Sequence, residues 1–418
     1  MSIDLKINKT CIRSDAASQR HLLLQIRAPE ASNEVARSPA SVAFVIDRSG
    51  SMAGQKLALA REAVVQAIRR LLPSDRFAVV SYDDEVTLVY ESSLCTEDTR
   101  RAATERVQRI APGGTTNLSG GWLTGCGQIA ERLNEETVGR CLLLTDGLAN
   151  RGITDPVELR RHAMELRNRG VSTSTFGIGA DFDEGLLGCI ADSGGGSFTF
   201  VDSAEKIPAL IGQELGETLE VVARQVLLEL TVPDGVEITG IGPYAIQKEA
   251  GVSRIKLPDL VSAQELLVPV RIVCPPGPAG QTLAVSARLS DREGRLQGAQ
   301  TRVAFEFADA QTNTRQPTDW DVDRTIARYE GARAEEKALL CNQRGKYQEA
   351  ARLLEEAAKS LREYGAGDDM ITGLAAELEK KAVTYVRPMA SAARKMAYAS
   401  STSVTRGRSI DGRKSRYR

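Results

Sequence analysis

The feature that most constrains this chain is the pentad Asp47-Arg48-Ser49-Gly50-Ser51, set directly behind the apolar run SVAFVI of residues 41–46. A run this apolar suits a strand covered on both faces. It delivers one carboxylate and two hydroxyls, at alternate positions, into a loop. After the loop, Leu57, Ala60, Val64, Ile68 and Leu71 recur at helical spacing. Ser51, Met52 and Gly54 therefore fall near a helix start, where the amino-terminal dipole attracts anionic groups. Two further segments supply oxygens. Gly113-Gly114-Thr115-Thr116-Asn117 offers hydroxyls in a glycine loop, and the run CLLL of residues 141–144 delivers Thr145-Asp146-Gly147 at the end of another strand. Oxygen ligands with few carboxylates suit a hard cation, Mg²⁺ in particular, which keeps several waters and takes only one or two carboxylates.

Around these segments the chain alternates short apolar runs (42–46, 77–81, 142–144, 171–177 and 197–201) with helical periodicity, as in residues 57–71 and 159–166. That alternation predicts a doubly wound parallel sheet. In such a sheet ligands bind beyond the carboxyl ends of the strands, near the point where the strand order reverses. Asp47 and Asp146 both follow their strands, so the expected geometry and the chemistry point to one rim.

The order Asp-x-Ser-x-Ser, Gly-Gly-Thr-Thr-Asn, Leu-Leu-Leu-Thr-Asp-Gly resembles the von Willebrand factor type A domain and its metal-ion-dependent adhesion site, over residues 38–222. The resemblance implies a Rossmann-like α/β domain of bacterial intracellular type. Asp47, Ser49, Ser51, Thr116 and Asp146 match the family's five coordinating positions, although Thr115, beside Thr116, could take that place. By the same resemblance, Ser49 and Ser51 bind Mg²⁺ (or Mn²⁺) through their hydroxyls. Thr116 binds directly or through water, and Asp47 and Asp146 supply negative charge. One coordination position stays open for a Glu or Asp carboxylate of a protein partner. The competing reading is that these are ordinary turn and cap residues, since Ser, Thr, Asp and Gly serve strand-to-helix turns anyway.

The flanks read differently. Ile3, Leu5 and Ile7 alternate with polar residues, and residues 21–26 resemble a second strand. Six further strand-like runs lie between residues 226 and 307, separated by turns such as Pro233-Asp234-Gly235 and Glu293-Gly294. The expected architecture is thus multidomain, α/β plus all-β plus α. It divides into N-terminal strands of a β-sandwich (1–37), the α/β domain (38–222), either inserted in the sandwich or followed by it, the sandwich (223–312), a helical region read as a hairpin (319–390), and a Ser/Thr-rich tail (391–418). A Gly345–Tyr347 turn resembles that of a tetratricopeptide repeat, but it stands alone. Six cationic residues of the tail, Arg406, Arg408, Arg413, Lys414, Arg416 and Arg418, face the single anion Asp411 after residue 400. So polar a segment predicts a disordered basic arm, either an inert extension or a regulatory one open to phosphorylation at Ser400, Ser401, Thr402, Ser403 and Thr405.

Composition narrows the function. At 418 residues the chain exceeds one core, and its net charge of −1 argues against a nucleic-acid binder. No signal peptide or membrane-length apolar run is visible. The seven cysteines are scattered and show no Cys-x-x-Cys pair, which predicts reduced thiols in a cytoplasmic protein. His21 and His162 lie apart from the motifs, so no histidine metal cluster is expected. Gly177-Ile178-Gly179 lacks the third glycine of a dinucleotide loop, and Gly50–Lys56 lacks the spacing of a phosphate loop.

These readings make the chain a non-enzymatic, metal-dependent interaction module, with no catalytic residue and no organic cofactor. One alternative is an adaptor for a separate ATPase of the AAA type, or a kinase partner, because relatives of the domain accompany such ATPases and this chain has no phosphate loop. Another is a metal-dependent phosphatase, which would want an acid two residues after Asp47, where Ser49 stands.

Overall fold

The structure, a computed structural model, describes residues 2–31, 37–249, 251–292, 294, 296, 298–408 and 414–416. These form two compact units. One holds residues 37–221 together with 391–399; the other holds the described residues of 2–31, 222–390 and 400–416.

The first unit is built on a six-stranded sheet in the order Val86–Leu94, Arg76–Tyr82, Ala40–Asp47, Val138–Thr145, Val171–Ile178, Gly195–Val201. Neighbours run parallel except for the first pair, which is antiparallel. Three of the central strands, Ala40–Asp47, Val138–Thr145 and Val171–Ile178, are buried at every residue, as their apolar runs predict. Phe44, Ile46, Leu142 and Leu144 pack with Leu57, Val64 and Ile68 of the helix Gln55–Arg70 and with Ile207, Ile211 and Leu215 of the helix Ile207–Leu219. Each such side chain contributes about 1.5–3 kcal/mol by leaving water. The chain leaves Ala40–Asp47 toward one edge of the sheet and later returns to its other side with Val138–Thr145. The strand order reverses between these two neighbours, and their carboxyl ends carry Asp47 and Thr145-Asp146.

The strand Val86–Leu94 was not expected from the sequence. It lies at the sheet edge with every residue exposed or half-buried, so no apolar run marks it. Asp83-Asp84-Glu85 is the hairpin turn that leads into it.

The second unit holds two larger sheets. Four antiparallel strands stand in the order Ser2–Ile7, Ser18–Arg27, Glu265–Cys274, Glu237–Gly240. Six stand in the order Ile246–Glu249, Val252–Lys256, Leu227–Thr231, Thr282–Ser290, Gln300–Ala308, Cys11–Arg13, the last pair parallel. Alternate residues of both sheets, among them Leu22, Leu24, Val270, Leu228, Val285 and Phe305, share one buried cluster. The amino-terminal strands therefore pair with strands that follow the α/β unit in sequence.

Two expectations for the carboxyl-terminal part need correction. The helical region is not a hairpin but three mutually packed helices, Trp320–Gln343, Tyr347–Gly365 and Asp369–Tyr385. The first starts at Trp320, where the Asp319 carboxylate accepts the N–H groups of Asp321 and Val322 as an amino-terminal cap. Nor are residues 391–405 disordered. They form the helix Ser391–Thr405, in which Lys395, Tyr398, Ser401, Thr402 and Thr405 are buried. A count of Ser, Thr and basic residues misses the alanines that favour helix, and it takes for solvated the lysine and hydroxyls that form the buried face. Burial also withdraws the Ser401, Thr402 and Thr405 hydroxyls from a modifying enzyme. Asp411, Arg413 and Arg418 of the tail, and Glu293 of the expected turn, lie outside the described residues.

Candidate metal centre

Asp47 ends its strand fully buried, with both oxygens used. Oδ1 accepts the Ser49 backbone N–H at 2.8 Å, and Oδ2 accepts the Thr145 hydroxyl at 2.6 Å. Burial pushes its carboxyl above the usual range against these hydrogen bonds, and the nearby charge of Asp146 adds to the rise. Asp146, also fully buried, accepts the Ser51 hydroxyl on Oδ1 at 2.6 Å and the Lys56 ammonium on Oδ2 at 2.5 Å. The Ser49 and Ser51 hydroxyl oxygens stand 3.2 Å apart. Asp47, Ser49, Ser51 and Asp146 thus form one connected group over the switch point.

Thr116 joins from the second loop. A Cβ placed on Gly147 would lie 3.3 Å from Thr116 Oγ1 and 3.8 Å from Ser51 Oγ, so the two hydroxyls face one point beside Asp146. Thr116 is buried, whereas Thr115 is exposed. Of the two, Thr116 is the buried hydroxyl that faces Ser51. Its N–H donates to Asn150 Oδ1 at 3.0 Å, and its carbonyl accepts the N–H groups of Asn150 and Arg151.

Asp83 stitches the loops together. It is buried while Asp84 and Glu85 are exposed. Its carboxylate accepts the Gly114 N–H at 3.0 Å, the Glu85 N–H at 2.9 Å and the Arg48 guanidinium at 3.0 Å. Partial burial opposes its ionisation, but these donors outweigh it and hold Asp83 below the usual carboxylate range. A Cβ at Gly113 would stand 1.7 Å from Asp83 Oδ2, so a larger residue would have to displace that carboxylate. The Gly113 N–H donates to the Arg48 carbonyl at 2.7 Å, and the Gly50 N–H to the Gly114 carbonyl at 3.1 Å.

The donor set is therefore two buried carboxylates and three hydroxyls, with one ammonium as the compensating charge. Among the described residues no group of three His, Cys, Asp or Glu side chains could hold a metal. An ion here must lean on hydroxyls and water, which suits a hard cation rather than a soft one. Two neighbouring carboxylates without a second positive partner among the described residues leave room for added cationic charge. The residues fit the ion that the motifs imply. Sequence reasoning missed Thr145 and Lys56 as members of the site. Thr145 stood beside Asp146 in the motif, but Lys56 was visible only inside a rejected phosphate-loop pattern.

Residues 41–213 match the family model of the von Willebrand factor type A domain. A Synechocystis protein is 26% identical over 381 residues, covering 86% of this chain and 88% of its own. The Escherichia coli (strain K12) protein YfbK is 29% identical over 197 residues, 46% of this chain, and the chain spans only 34% of that relative's length. In fold, a von Willebrand factor type A protein from Catenulispora acidiphila superposes with a TM-score of 0.68 at 21% identity, over 91% of this chain and 96% of that one. Residues 41–213 thus form a von Willebrand factor type A domain within this longer chain.

Proposed function

We propose that the α/β unit binds Mg²⁺ (or Mn²⁺) through Ser49, Ser51 and Thr116, with Asp47 and Asp146 supplying charge, and through the ion a Glu or Asp carboxylate of a protein partner. The bound ion would supply an under-neutralised positive charge with an open coordination position. The chain's own residues do the rest. Thr145 and the Ser49 N–H fix Asp47, while Ser51 is oriented by Asp146. Asp83 holds the two hydroxyl loops at one rim. The observation that carries this reading is the convergence of three hydroxyls and two buried carboxylates at the sheet's switch point.

The reading is non-enzymatic. Neither histidine lies in the site: His21 belongs to the other unit and His162 to the helix Pro156–Asn168. A phosphatase would need an acid at position 49, where a serine stands. The adaptor reading, with a separate ATPase as the partner, uses the same surface and differs only in what binds it. No helix of the described residues is long and apolar enough to cross a membrane, which accords with the cytoplasmic setting we infer. We also infer that residues 1–37 and 223–312 are one β-sandwich interrupted by the domain at 38–222, with the helical region 319–390 appended.

The test is calorimetric titration of Mg²⁺ and Mn²⁺ into the full chain, wild type against Ser49→Ala and Asp146→Ala, followed by partner capture with Mg²⁺ or chelator. Saturable binding that both variants lose is the expected result. Equal binding by wild type and both variants would move the ion elsewhere.

A further inference from the structure

Lys56 is the second residue of the helix Gln55–Arg70. An ammonium in the first turn faces the positive end of the helix dipole, so its position must be held by a partner. That partner is Asp146. Nζ donates to Oδ2 at 2.5 Å and lies 3.4 Å from the Ser51 carbonyl. The two ends of the pair differ in freedom: the Asp146 side chain is wholly buried, whereas that of Lys56 is 31% exposed. The carboxylate is fixed, and the ammonium can leave for water on a flexible stem.

Asp146 therefore has one oxygen committed to the Ser51 hydroxyl and the other to a full positive charge. A divalent ion on Ser49 and Ser51 would share this carboxylate with the ammonium. Like charges a few ångströms apart, at an effective dielectric near 20, repel by enough to change affinity well over about tenfold. In metal-free protein the same ammonium neutralises Asp146 beside the buried Asp47.

We propose that Lys56 is a resident counter-ion of this centre, which neutralises Asp146 when no metal is bound and must turn out to solvent for the divalent ion to bind. This rests on the metal reading above and adds a threshold to it. Lys56 lowers the site's affinity, so that loading occurs only above a set cation concentration, and the metal-free domain stays folded without the ion.

The experiment measures free Mn²⁺ by electron paramagnetic resonance during titration of the full chain, together with melting temperature in EDTA and in excess Mn²⁺. Wild type is compared with Lys56→Gln and Lys56→Met, which remove the charge, and with Lys56→Arg, which keeps it. Both neutral variants should bind Mn²⁺ about tenfold tighter or more, a change of about 1.4 kcal/mol, and the Arg variant should stay within about threefold of wild type. The neutral variants should also melt lower in EDTA and gain more from the ion. A purely structural lysine would lower melting in both conditions alike and leave affinity unchanged. Wild-type binding with unchanged or weaker Mn²⁺ affinity in both neutral variants overturns the counter-ion and leaves the metal site standing. Neutral variants unfolded with and without Mn²⁺ overturn it as well. Absence of Mn²⁺ binding from wild type and every variant overturns both readings.

Discussion

Thr145 donates its hydroxyl proton to Asp47 Oδ2 at 2.6 Å, across the ends of two neighbouring parallel strands. The bond fixes the one carboxylate that the Ser49 N–H alone would leave free to rotate, and it does so in a fully buried place. Replacing the hydroxyl by a methyl of the same shape removes the donor without opening a cavity. Thr145→Val is therefore expected to bind Mg²⁺ or Mn²⁺ about 10–100-fold more weakly, as for other supporting partners of metal ligands. It should also lose about 1–3 kcal/mol of stability by leaving Asp47 Oδ2 unpaired. Calorimetric titration and urea unfolding check the two parts. Wild-type affinity in the valine variant would show that Asp47 needs no such support.

Gly113→Ala tests the role of Asp83. The added methyl would stand 1.7 Å from Asp83 Oδ2 on the built geometry, so the carboxylate must yield and drop its bond to the Gly114 N–H. Because that bond ties the hydroxyl loop to the strand end, the expected result is a loss of about 1–3 kcal/mol together with weaker metal binding. Asp83→Asn should weaken the Arg48 contact at a smaller cost. A Gly113→Ala protein with unaltered melting and metal affinity would mean the loop is held by other contacts.

How far the site could be read in advance depended on where each contact is encoded. Asp47, Ser49 and Ser51 share one loop, and Thr145-Asp146 closes a strand, so a short window reveals each group and the order of windows gives the rim. Lys56 and Asp83 are different. Their importance follows from which strand lies beside which, and from an antiparallel edge strand, Val86–Leu94, that carries no apolar run. The helix Ser391–Thr405 was missed because its buried residues include a lysine and hydroxyls rather than aliphatics. Only their partners in the fold make such side chains core residues.

That helix supplies the next prediction. Lys395 is buried, donates to Glu184 Oε2 at 2.9 Å and to the Phe182 carbonyl, and stands 4.3 Å from the centre of the Phe182 ring. Arg394 donates to Glu184 Oε1 at 2.5 Å. Burial opposes the charge on Glu184, but the two cations outweigh it and hold its carboxyl below the ordinary value of 4.5. A depressed carboxyl adds stability above its unfolded value and loses it as pH falls through the folded one. Docking of residues 391–399 within the α/β unit should thus be firm at neutral pH and fail in acid below the ordinary carboxylate range. Amide exchange in residues 391–399 at pH 7 and pH 3 reads this directly. Glu184→Gln should flatten the pH dependence, and Lys395→Ala should cost about 3–5 kcal/mol, since it strips a buried charge of one partner.

The last prediction separates two adjacent hydroxyls that sequence alone leaves open. Thr116 is buried and faces Gly147 and Ser51, whereas Thr115 is exposed. If the ion sits where Ser49, Ser51 and Thr116 converge, Thr116→Ala removes an oxygen from its surroundings and Thr115→Ala does not. Thr116→Ala should weaken Mg²⁺ or Mn²⁺ binding by about tenfold or more, close to 1.4 kcal/mol. Thr115→Ala should stay within about twofold and, as a surface change, cost no more than about 0.5 kcal/mol of stability in EDTA. Thr116→Ser, which restores the hydroxyl without the methyl, should recover most of the affinity. A deficit in Thr115→Ala equal to that of Thr116→Ala, or no deficit in either, would remove this loop from the coordination sphere and leave Ser49 and Ser51 as its hydroxyl ligands.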